Sequence, residues 1–126
     1  MERRGKTFRD LVQDAKANIK ETTPEEVKQW LDASDDMVIV DVRQEADYEA
    51  GHIDGSLSIP RGVLELYIDE KVPNQDAKIV LYCGGGSRSA LAAETLQQMG
   101  YANVLSMAGG WKGWSGLPAQ ACSISQ

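Results

Sequence analysis

The sequence is poor in the residues that several common kinds of site require. It contains two cysteines and one histidine in 126 residues, and it has no apolar run long enough to cross a bilayer. One histidine and two distant cysteines, Cys83 and Cys122, cannot supply the ligands of a zinc site. Neither a hydrolase triad nor a nucleotide-binding glycine loop is supported. We therefore expect no metal, no cofactor and no membrane partner.

The chain also has fewer basic than acidic residues. The chain has 13 Lys and Arg against 19 Asp and Glu, which gives a net charge of −6. A nucleic-acid partner would require a clustered basic face, so none is expected, and an anionic substrate must be attracted by a local group. Residues 1–6 carry no secretory apolar core, and two cysteines allow at most one disulfide. These features predict one cytoplasmic domain.

Short strands alternate with helical patterns along the chain. Alternation of this kind favours crossover units, which build a mainly parallel sheet with helices on both faces. The expected fold class is therefore α/β. The patterns predict strands at 37–40, 57–60, 78–82 and 103–105 and helices at 8–19, 44–50, 62–70 and 107–114, with one further helix from Thr23 through Leu31 and another that ends at Gly100.

The first two helices carry recognisable signals. Thr23 is expected to cap the second helix, with Pro24 at its first position and Glu26 completing a capping box. An apolar stripe along the first helix predicts a face that packs on the domain, with a docking surface for a partner as the alternative. The stripe consists of Phe8, Leu11, Val12, Ala15 and Ile19.

The most informative segment joins the predicted strand 78–82 to a helix and reads Cys83-Gly84-Gly85-Gly86-Ser87-Arg88-Ser89. Such a loop can turn main-chain N–H groups inward, and a helix N-terminus adds positive potential, so a thiolate or small anion is favoured. Three glycines permit positive φ and close approach of a ligand, while Arg88 adds a fixed cation. We expect Cys83 to be reactive, with a side chain that solvent can reach. The alternative is an inert packing cysteine in a plain connection.

Other polar residues receive weaker predictions. Asp41 and Arg43 follow the predicted strand 37–40, so they are expected at the same edge of the sheet as Cys83, where α/β sheets open their sites. A structural ion pair is the alternative for these two residues. His52 lies in a turn and is interpreted as structural. Cys122 is expected to be an exposed thiol, with a resolving role towards Cys83 as the alternative.

Several separated motifs together resemble the single-domain rhodanese family. The resemblance covers roughly residues 20–117, and the order of the motifs makes it more specific than any one of them. The motifs are Asp41-Val42-Arg43, Glu45, Tyr48, Gly51-His52-Ile53, Gly55, Ser56 and Ile59-Pro60, then Cys83-x-x-Gly86-x-Arg88-Ser89, and finally Gly100-Tyr101, Asn103-Val104, Gly109-Gly110 and Trp114.

The resemblance implies a rhodanese-like three-layer sandwich around a five-stranded sheet. It divides the chain into a helical extension at 1–19, a rhodanese domain at 20–117 and a flexible tail at 118–126. It also implies a thiosulfate sulfurtransferase in which Cys83 carries sulfane sulfur as a persulfide. The expected partners are a small anionic donor and a cyanide or thiol acceptor, with a protein acceptor possible. The oligomeric state is not predicted.

The resemblance also assigns roles to the loop. The cradle is formed by Gly84, Gly85, Gly86, Ser87 and Arg88, with Arg88 helping to hold the anionic donor. Asp41 and Arg43 would fix the loop in position. Gly84 and Gly85 stand where many relatives carry larger side chains, so few side-chain contacts are expected beyond Ser87 and Arg88.

Two rival functions remain open at this point. Phosphatases and arsenate reductases also combine a cysteine, an amide loop and an arginine, but they resemble Cys-x5-Arg, whereas Cys83 and Arg88 form the shorter Cys-x4-Arg. The other rival is a non-catalytic rhodanese-like module for binding or sulfur sensing, because fold and motif do not fix a physiological role.

Overall fold

Helices and short strands alternate through residues 4–118, the part of the chain that the computed structural model describes. Cys122 and the predicted tail beyond residue 118 lie outside the described residues. In chain order the elements are α1 (Phe8–Asn18), β1 (Lys20–Thr22), α2 (Pro24–Asp32), β2 (Val38–Asp41), α3 (Glu45–Ala50), β3 (Leu57–Ser58), a 3₁₀ turn (Arg61–Val63), α4 (Leu64–Lys71), β4 (Ile79–Tyr82), α5 (Ser87–Gln98), β5 (Val104–Met107) and α6 (Gly110–Ser115).

The five strands form one sheet in the order β1-β5-β4-β2-β3. Every neighbouring pair is parallel, so the predicted α/β fold is confirmed and the sheet is parallel throughout. The strand β1 was not predicted from its own residues. Its sequence Lys-Glu-Thr has only the last side chain buried, so it carries no apolar signal. It is a strand because its backbone pairs with β5.

The central strand β4 separates two apolar cores, because successive side chains of a strand point to opposite faces. Ile79, Leu81 and, just beyond the strand, Cys83 belong to one buried cluster. Val80 and Tyr82 belong to the other. The sulfur of Cys83 therefore lies on the same face of the sheet as Ile79 and Leu81.

Helices cover both faces of the sheet and produce three layers. Residues of α4 and α5, including Ile68 and Leu96, pack into the cluster that contains Cys83. Residues of α2 and α6, including Val27 and Trp111, pack into the opposite cluster. Burial of apolar side chains of this size stabilises the fold by about 2 kcal/mol each.

The N-terminal helix α1 packs mainly against α5. Val12 and Ala15 are buried, as the predicted stripe requires. Phe8 and Leu11, however, are 55% and 47% exposed, whereas Ile19 is partly buried against the core, so the stripe is exposed at its N-terminal end. The division between an extension at 1–19 and a domain from residue 20 stays a prediction.

The helix caps differ in part from the prediction. Thr23 caps α2 through the amide of Glu26, as expected, but the Glu26 carboxylate accepts from the Thr22 hydroxyl at 2.6 Å instead of completing the box. The full reciprocal box is on α1, where Thr7 and Asp10 satisfy each other's amides. The Thr22–Glu26 bond ties the end of β1 to α2.

Two other boundaries are corrected. The last helix was predicted at 107–114, but Met107 completes β5 and the helix starts only at Gly110. The helix predicted at 62–70 begins with a 3₁₀ turn and becomes α-helical at Leu64. Among the described helices, none combines the length and the apolar character that a membrane span needs.

Candidate functional site

Cys83 follows β4, and its sulfur lies at the N-terminus of α5. The amides of Gly86 and Ser89 donate to Sγ at 3.2 and 3.3 Å. Because Gly86 is the N-cap residue of α5 and has no side chain, the sulfur accepts the bond that a capping serine or aspartate normally accepts. The amides thus face the sulfur, and a negative charge on Sγ is favoured by the helix dipole.

Only one of the three loop glycines has a positive φ. Gly86 has φ of 104°, and a Cβ added to it would lie 3.2 Å from the amide nitrogen of Gly109. Gly84 and Gly85 do not have positive φ, and a Cβ on Gly85 would meet no atom within 4 Å. Of the three glycines, Gly86 is therefore the one whose positive φ the loop uses.

Two buried hydroxyls extend from the sulfur into the protein. Ser89 Oγ lies 3.6 Å from Cys83 Sγ and 2.8 Å from Ser106 Oγ on β5. Both serines are fully buried. When Cys83 is a thiol it donates to Ser89, and when it is a thiolate the Ser89 hydroxyl can turn and donate to it. Neither serine was predicted as a site residue, and only Ser89 was quoted within a motif.

The pKa of the Cys83 thiol results from opposing effects. Burial alone would raise it, but hydrogen bonds from the Ser89 hydroxyl and from the amides of Ser89, Gly86 and Gly85 outweigh burial. The pKa therefore lies below its ordinary value. A lowered pKa favours the thiolate, which is the nucleophilic form of cysteine.

The expectation that solvent reaches the Cys83 side chain is contradicted. Cys83 is only 1% exposed, because its side chain packs in the cluster with Leu81, Leu64 and Ala92. The sequence signals a strand end, but it does not show how closely α4 and α5 pack over that end. A donor can therefore reach the sulfur only if some of the atoms that cover it move.

Asp41 and Arg43 form a buried ion pair at the end of β2, with Arg43 Nη2 at 2.7 Å from Asp41 Oδ2. The Asp41 side chain also accepts from the Arg43 amide. Arg43 donates further to the Gly51 carbonyl at 2.7 Å and lies 4.9 Å from the centre of the Trp111 ring. Its hydrogen bonds do not reach residues 84–88, so the contact with the loop is indirect, through Trp111.

Two main-chain amides at the start of α6 donate hydrogen bonds to the cysteine loop. The amide of Trp111 donates to the Cys83 carbonyl at 2.7 Å, and the amide of Lys112 donates to the Gly84 carbonyl at 3.1 Å. A Cβ on Gly110 would overlap the same segment, at 2.8 Å from Gly84 backbone atoms, so only glycine fits there. The Gly109-Gly110 pair was part of the family resemblance, but its contact with the loop was not predicted.

The remaining residues with predicted roles lie in different parts of the structure. Arg88 lines a cavity of about 410 Å³ beside the loop, and its Nη2 would lie 3.8 Å from a Cβ on Gly84. Ser87 faces the other way, into a cavity of about 320 Å³ shared with α1 residues such as Phe8 and Arg9. His52 stacks on Tyr48 and contacts its carbonyl at 2.7 Å through Nδ1. Within residues 4–118, no three His, Cys, Asp or Glu side chains are grouped as metal ligands.

The fold and the site define an α/β domain that presents one cysteine on an amide-lined loop at a helix N-terminus. Such a site suits a thiolate or a sulfur-linked anion. The family model described as Rhodanese-like domain matches residues 23–117. The chain belongs to that family, as its motifs predict.

Individual relatives agree with the family. A sulfurtransferase from Allochromatium vinosum is 34% identical over 105 residues, which make up 82% of this chain and 96% of the relative. YrkF of Bacillus subtilis, a putative sulfur carrier protein, is 34% identical over 79% of this chain. The match covers 53% of that relative, so the chain spans about half its length.

A solved structure from Rhodopseudomonas palustris is also similar, with a TM-score of 0.81 and 35% identity. The match covers 94% of this chain and 97% of that one. That protein is described as one of unknown function and a possible tyrosine phosphatase.

Proposed function

We propose that the protein is a sulfurtransferase that carries sulfane sulfur as a persulfide on Cys83. The observation that carries this proposal is the pair of amides from Gly86 and Ser89 that donate to Sγ. Membership of the rhodanese-like family and the similarity to a sulfurtransferase support it. Thiosulfate is the proposed donor, and cyanide or a thiol is the proposed acceptor, with a protein acceptor possible.

The reaction has two displacement steps. The Cys83 thiolate attacks the outer sulfur of thiosulfate, a new sulfur–sulfur bond forms, and sulfite leaves with the electron pair of the broken bond. An acceptor thiolate or cyanide then attacks the outer sulfur of the persulfide, and Cys83 leaves as the thiolate. Both attacking groups can already be anionic, so the reaction requires no general base. The interpretation of His52 as a structural residue is therefore compatible with the proposal.

Thiolate population alone contributes little to the rate. Each unit by which the pKa falls can raise the thiolate fraction at most tenfold, but nucleophilicity falls about threefold, so the net gain is about threefold per unit. The larger contribution comes from amides that are already aimed at the sulfur and stabilise charge there without reorganising. Arg88 would hold the anionic donor beside the loop.

Access to the sulfur depends on the glycine-rich loop. Because Cys83 is 1% exposed, a donor reaches Sγ only when the loop moves. Gly85 meets nothing that would hinder a Cβ, and Gly84 meets only Arg88 Nη2, at an ordinary distance. Gly84 is held by the Lys112 amide at its carbonyl and Gly86 by its close approach to Gly109. We propose that Gly85, which lies between them, forms the mobile part of the loop.

Thiocyanate formation from thiosulfate and cyanide tests the proposal. The wild type is expected to turn over, and Cys83→Ala is expected to have no activity above the uncatalysed rate. Cys122→Ser is the matched control, because it removes the other thiol of the chain. Turnover that survives Cys83→Ala would contradict the proposal.

The proposed role of Arg88 has a separate test. Arg88→Ala is expected to reduce kcat/KM for thiosulfate by about 10- to 100-fold, since a hydrogen bond to a charged group contributes about 1.5 to 3 kcal/mol. An uncharged organic polysulfide loses no such bond and should be affected less. Equal losses with both donors would contradict an anion-binding role.

Phosphatase chemistry is the second candidate, and the description of the similar structure from Rhodopseudomonas palustris favours testing it. The spacing of Cys83 and Arg88 is one residue shorter than in the Cys-x5-Arg loop. An aryl phosphate is therefore expected to give no Cys83-dependent hydrolysis. Hydrolysis that requires Cys83, together with no transfer from thiosulfate, would replace the sulfurtransferase proposal.

A further inference from the structure

A hydroxyl group from β5 reaches the surroundings of the cysteine. Ser106 Oγ lies 2.8 Å from Ser89 Oγ, and Ser89 Oγ lies 3.6 Å from Cys83 Sγ. Both serines are 0% exposed, so bulk water cannot satisfy either hydroxyl. Buried hydroxyl groups in folded proteins nearly always have a hydrogen-bond partner. The three side chains therefore form one short chain of hydrogen bonds that ends at the sulfur.

The contacts fix the direction of this chain when the sulfur is a thiolate. Sγ then has no hydrogen and can only accept. The Ser106 side chain makes no other hydrogen bond within residues 4–118. Both hydroxyl hydrogens are therefore used only if Ser106 donates to Ser89 and Ser89 donates to Sγ. The opposite direction would leave the Ser106 hydrogen without an acceptor and the thiolate without a hydroxyl donor.

The Ser89 hydroxyl has a competing use. Ser89 is the third residue of α5, and a serine in a helix can turn its hydroxyl to a carbonyl about one turn earlier. Thr95 of the same helix does so, since its hydroxyl donates to the Leu91 carbonyl at 3.2 Å. The Ser89 hydroxyl instead contacts Ser106 and Cys83. A bond from β5 thus holds Ser89 Oγ beside the sulfur rather than against its own helix.

We propose, on the basis of the proposed function, that Ser106 is a positioning residue that keeps the Ser89 hydroxyl aimed at Cys83 Sγ in both steps of sulfur transfer. In the first step the attacking sulfur is an anion. In the second step the bond between Sγ and the outer sulfur breaks, and its electron pair returns to Sγ, where Ser89 donates. A leaving thiolate that is better stabilised departs faster. The hydroxyls keep their hydrogens throughout, so the role requires no proton transfer.

Charged groups near Ser106 on the sheet could also affect the thiol. Glu21 on β1 lies opposite Ser106 in the register of the sheet, and its carboxylate pairs with Lys16 of α1 at 3.6 Å. The neighbour of Ser106 on β4 is apolar. Substitution of Ser106 removes neither of these two charges, so it changes the hydroxyl chain without changing the net charge around it.

The loop side of the cysteine has its own titratable and charged groups. Those that line the cavity beside the loop are Arg61, Glu65 and Arg88. Tyr101 is the other titratable side chain of the buried cluster that contains Cys83, and its hydroxyl donates to the Val72 carbonyl at 2.7 Å. These groups also stay in place when Ser106 is replaced.

The pH dependence of Cys83 alkylation tests the positioning role without any sulfur donor. The full chain with Cys122→Ser is used, so that iodoacetamide reads one thiol. A hydrogen bond to a charged group corresponds to about one to two pKa units. Ser106→Ala leaves the Ser89 hydroxyl in place but free to turn, so it is expected to raise the thiol pKa by about half a unit or more. When Ser89→Ala is already present, the same substitution is expected to shift the pKa by less than about 0.2 units. Equal shifts in the two backgrounds would overturn the proposal.

A matched pair of variants separates the hydroxyl from packing. Threonine and valine have the same shape, but only threonine carries a hydroxyl. Ser106→Thr is expected to keep a thiol pKa close to that of the wild type, whereas Ser106→Val is expected to raise it as Ser106→Ala does. Ser58→Ala is the control, because it removes a strand hydroxyl that has no hydrogen-bond partner, and it is expected to change nothing. The same pKa in Ser106→Thr and Ser106→Val would contradict a role for the hydroxyl.

Single-turnover kinetics measure the two transfer steps separately, at a pH above the thiol pKa of each variant. Discharge of the preformed persulfide by cyanide is expected to be about twofold slower or more in Ser106→Ala, because Sγ leaves as a more basic thiolate. Attack on thiosulfate is expected not to slow, because a more basic thiolate is more nucleophilic. Equal slowing of both steps would overturn the proposal.

The two proposals fail differently. If Ser106→Ala shifts the thiol pKa only when Ser89 is present, but Cys83 accepts no sulfur, the sulfurtransferase proposal is wrong and the positioning of the thiolate donor stands. If Cys83 accepts and transfers sulfur, but Ser106→Ala changes neither the thiol pKa nor the discharge rate, the positioning role is wrong and the sulfurtransferase proposal stands.

Discussion

Alanine substitutions in the loop are expected to separate Gly86 from Gly85. At Gly86, alanine must adopt φ of 104°, and its Cβ would press on the Gly109 nitrogen at 3.2 Å. A side chain held in such a sparsely populated backbone region costs about 1 to 3 kcal/mol. Gly85→Ala meets no atom within 4 Å and needs no positive φ, so it should stabilise the fold by about 0.4 to 1 kcal/mol through the unfolded chain.

The two variants should therefore differ by about 1.5 to 4 kcal/mol in the free energy of unfolding, measured by urea denaturation. A second readout is chemical. Gly86 also directs its amide at Sγ, and Gly86→Ala keeps that amide but must displace it to relieve the contact with Gly109, so the thiol pKa should rise, as measured from the pH dependence of Cys83 alkylation. Gly85→Ala needs no such displacement and should leave that pKa nearly unchanged.

The reasoning would be refuted if both variants changed the unfolding free energy equally, within about 0.5 kcal/mol. It would also be refuted if Gly86→Ala kept the wild-type thiol pKa, because the position of that amide would then not matter to the thiolate. Gly84→Ala provides an intermediate case, since the added Cβ would meet the flexible end of Arg88 at 3.8 Å.

Three further predictions concern the groups around the sulfur. Ser89→Ala removes a hydroxyl donor and should raise the pKa in the same alkylation assay, whereas no change would exclude the hydroxyl as a donor. Asp41→Asn leaves Arg43, which is 6% exposed, without its counter-charge. It should lower the free energy of unfolding, measured by urea denaturation, by about 3 kcal/mol, and a loss below about 1 kcal/mol would contradict this expectation. The pKa of Cys83 is lowered in the fold, so its ionisation stabilises the protein above the unfolded-state pKa and this stabilisation is lost as the pH falls through the folded pKa. The unfolding free energy of the wild type relative to Cys83→Ala should thus rise as the pH is raised to about 9, and a flat difference would contradict the shift.

The sequence predicts elements whose signal is local. The run before Cys83 is uniformly apolar, and it forms the central strand with every side chain buried. β1 lacks such a signal, because its three residues are held by pairing with β5 at the other end of the chain. Parallel neighbours are brought together by crossovers, so a short polar strand of this kind cannot be identified from its own residues.

Prediction of the candidate site is likewise restricted to contacts between residues that are close in sequence. Cys83 and the glycine at the helix start, Gly86, are three residues apart in sequence, and the amides face the sulfur as this local motif predicts. Ser106 reaches the site from β5, 17 residues beyond its partner Ser89, and no sequence pattern indicates that contact. The burial of Cys83 likewise depends on packing between elements. Local motifs predict which atoms react, whereas tertiary packing decides what surrounds them.

The central claim is that the sulfur of Cys83, and no other atom, carries the transferred sulfur. The most direct measurement is intact mass and peptide mapping after a single incubation with thiosulfate, followed by cyanide. We expect one added sulfur atom on the peptide that contains Cys83, removed by cyanide, present in Cys122→Ser and absent from Cys83→Ser. An adduct on Cys122 alone, or no adduct with any sulfane donor, would contradict the account.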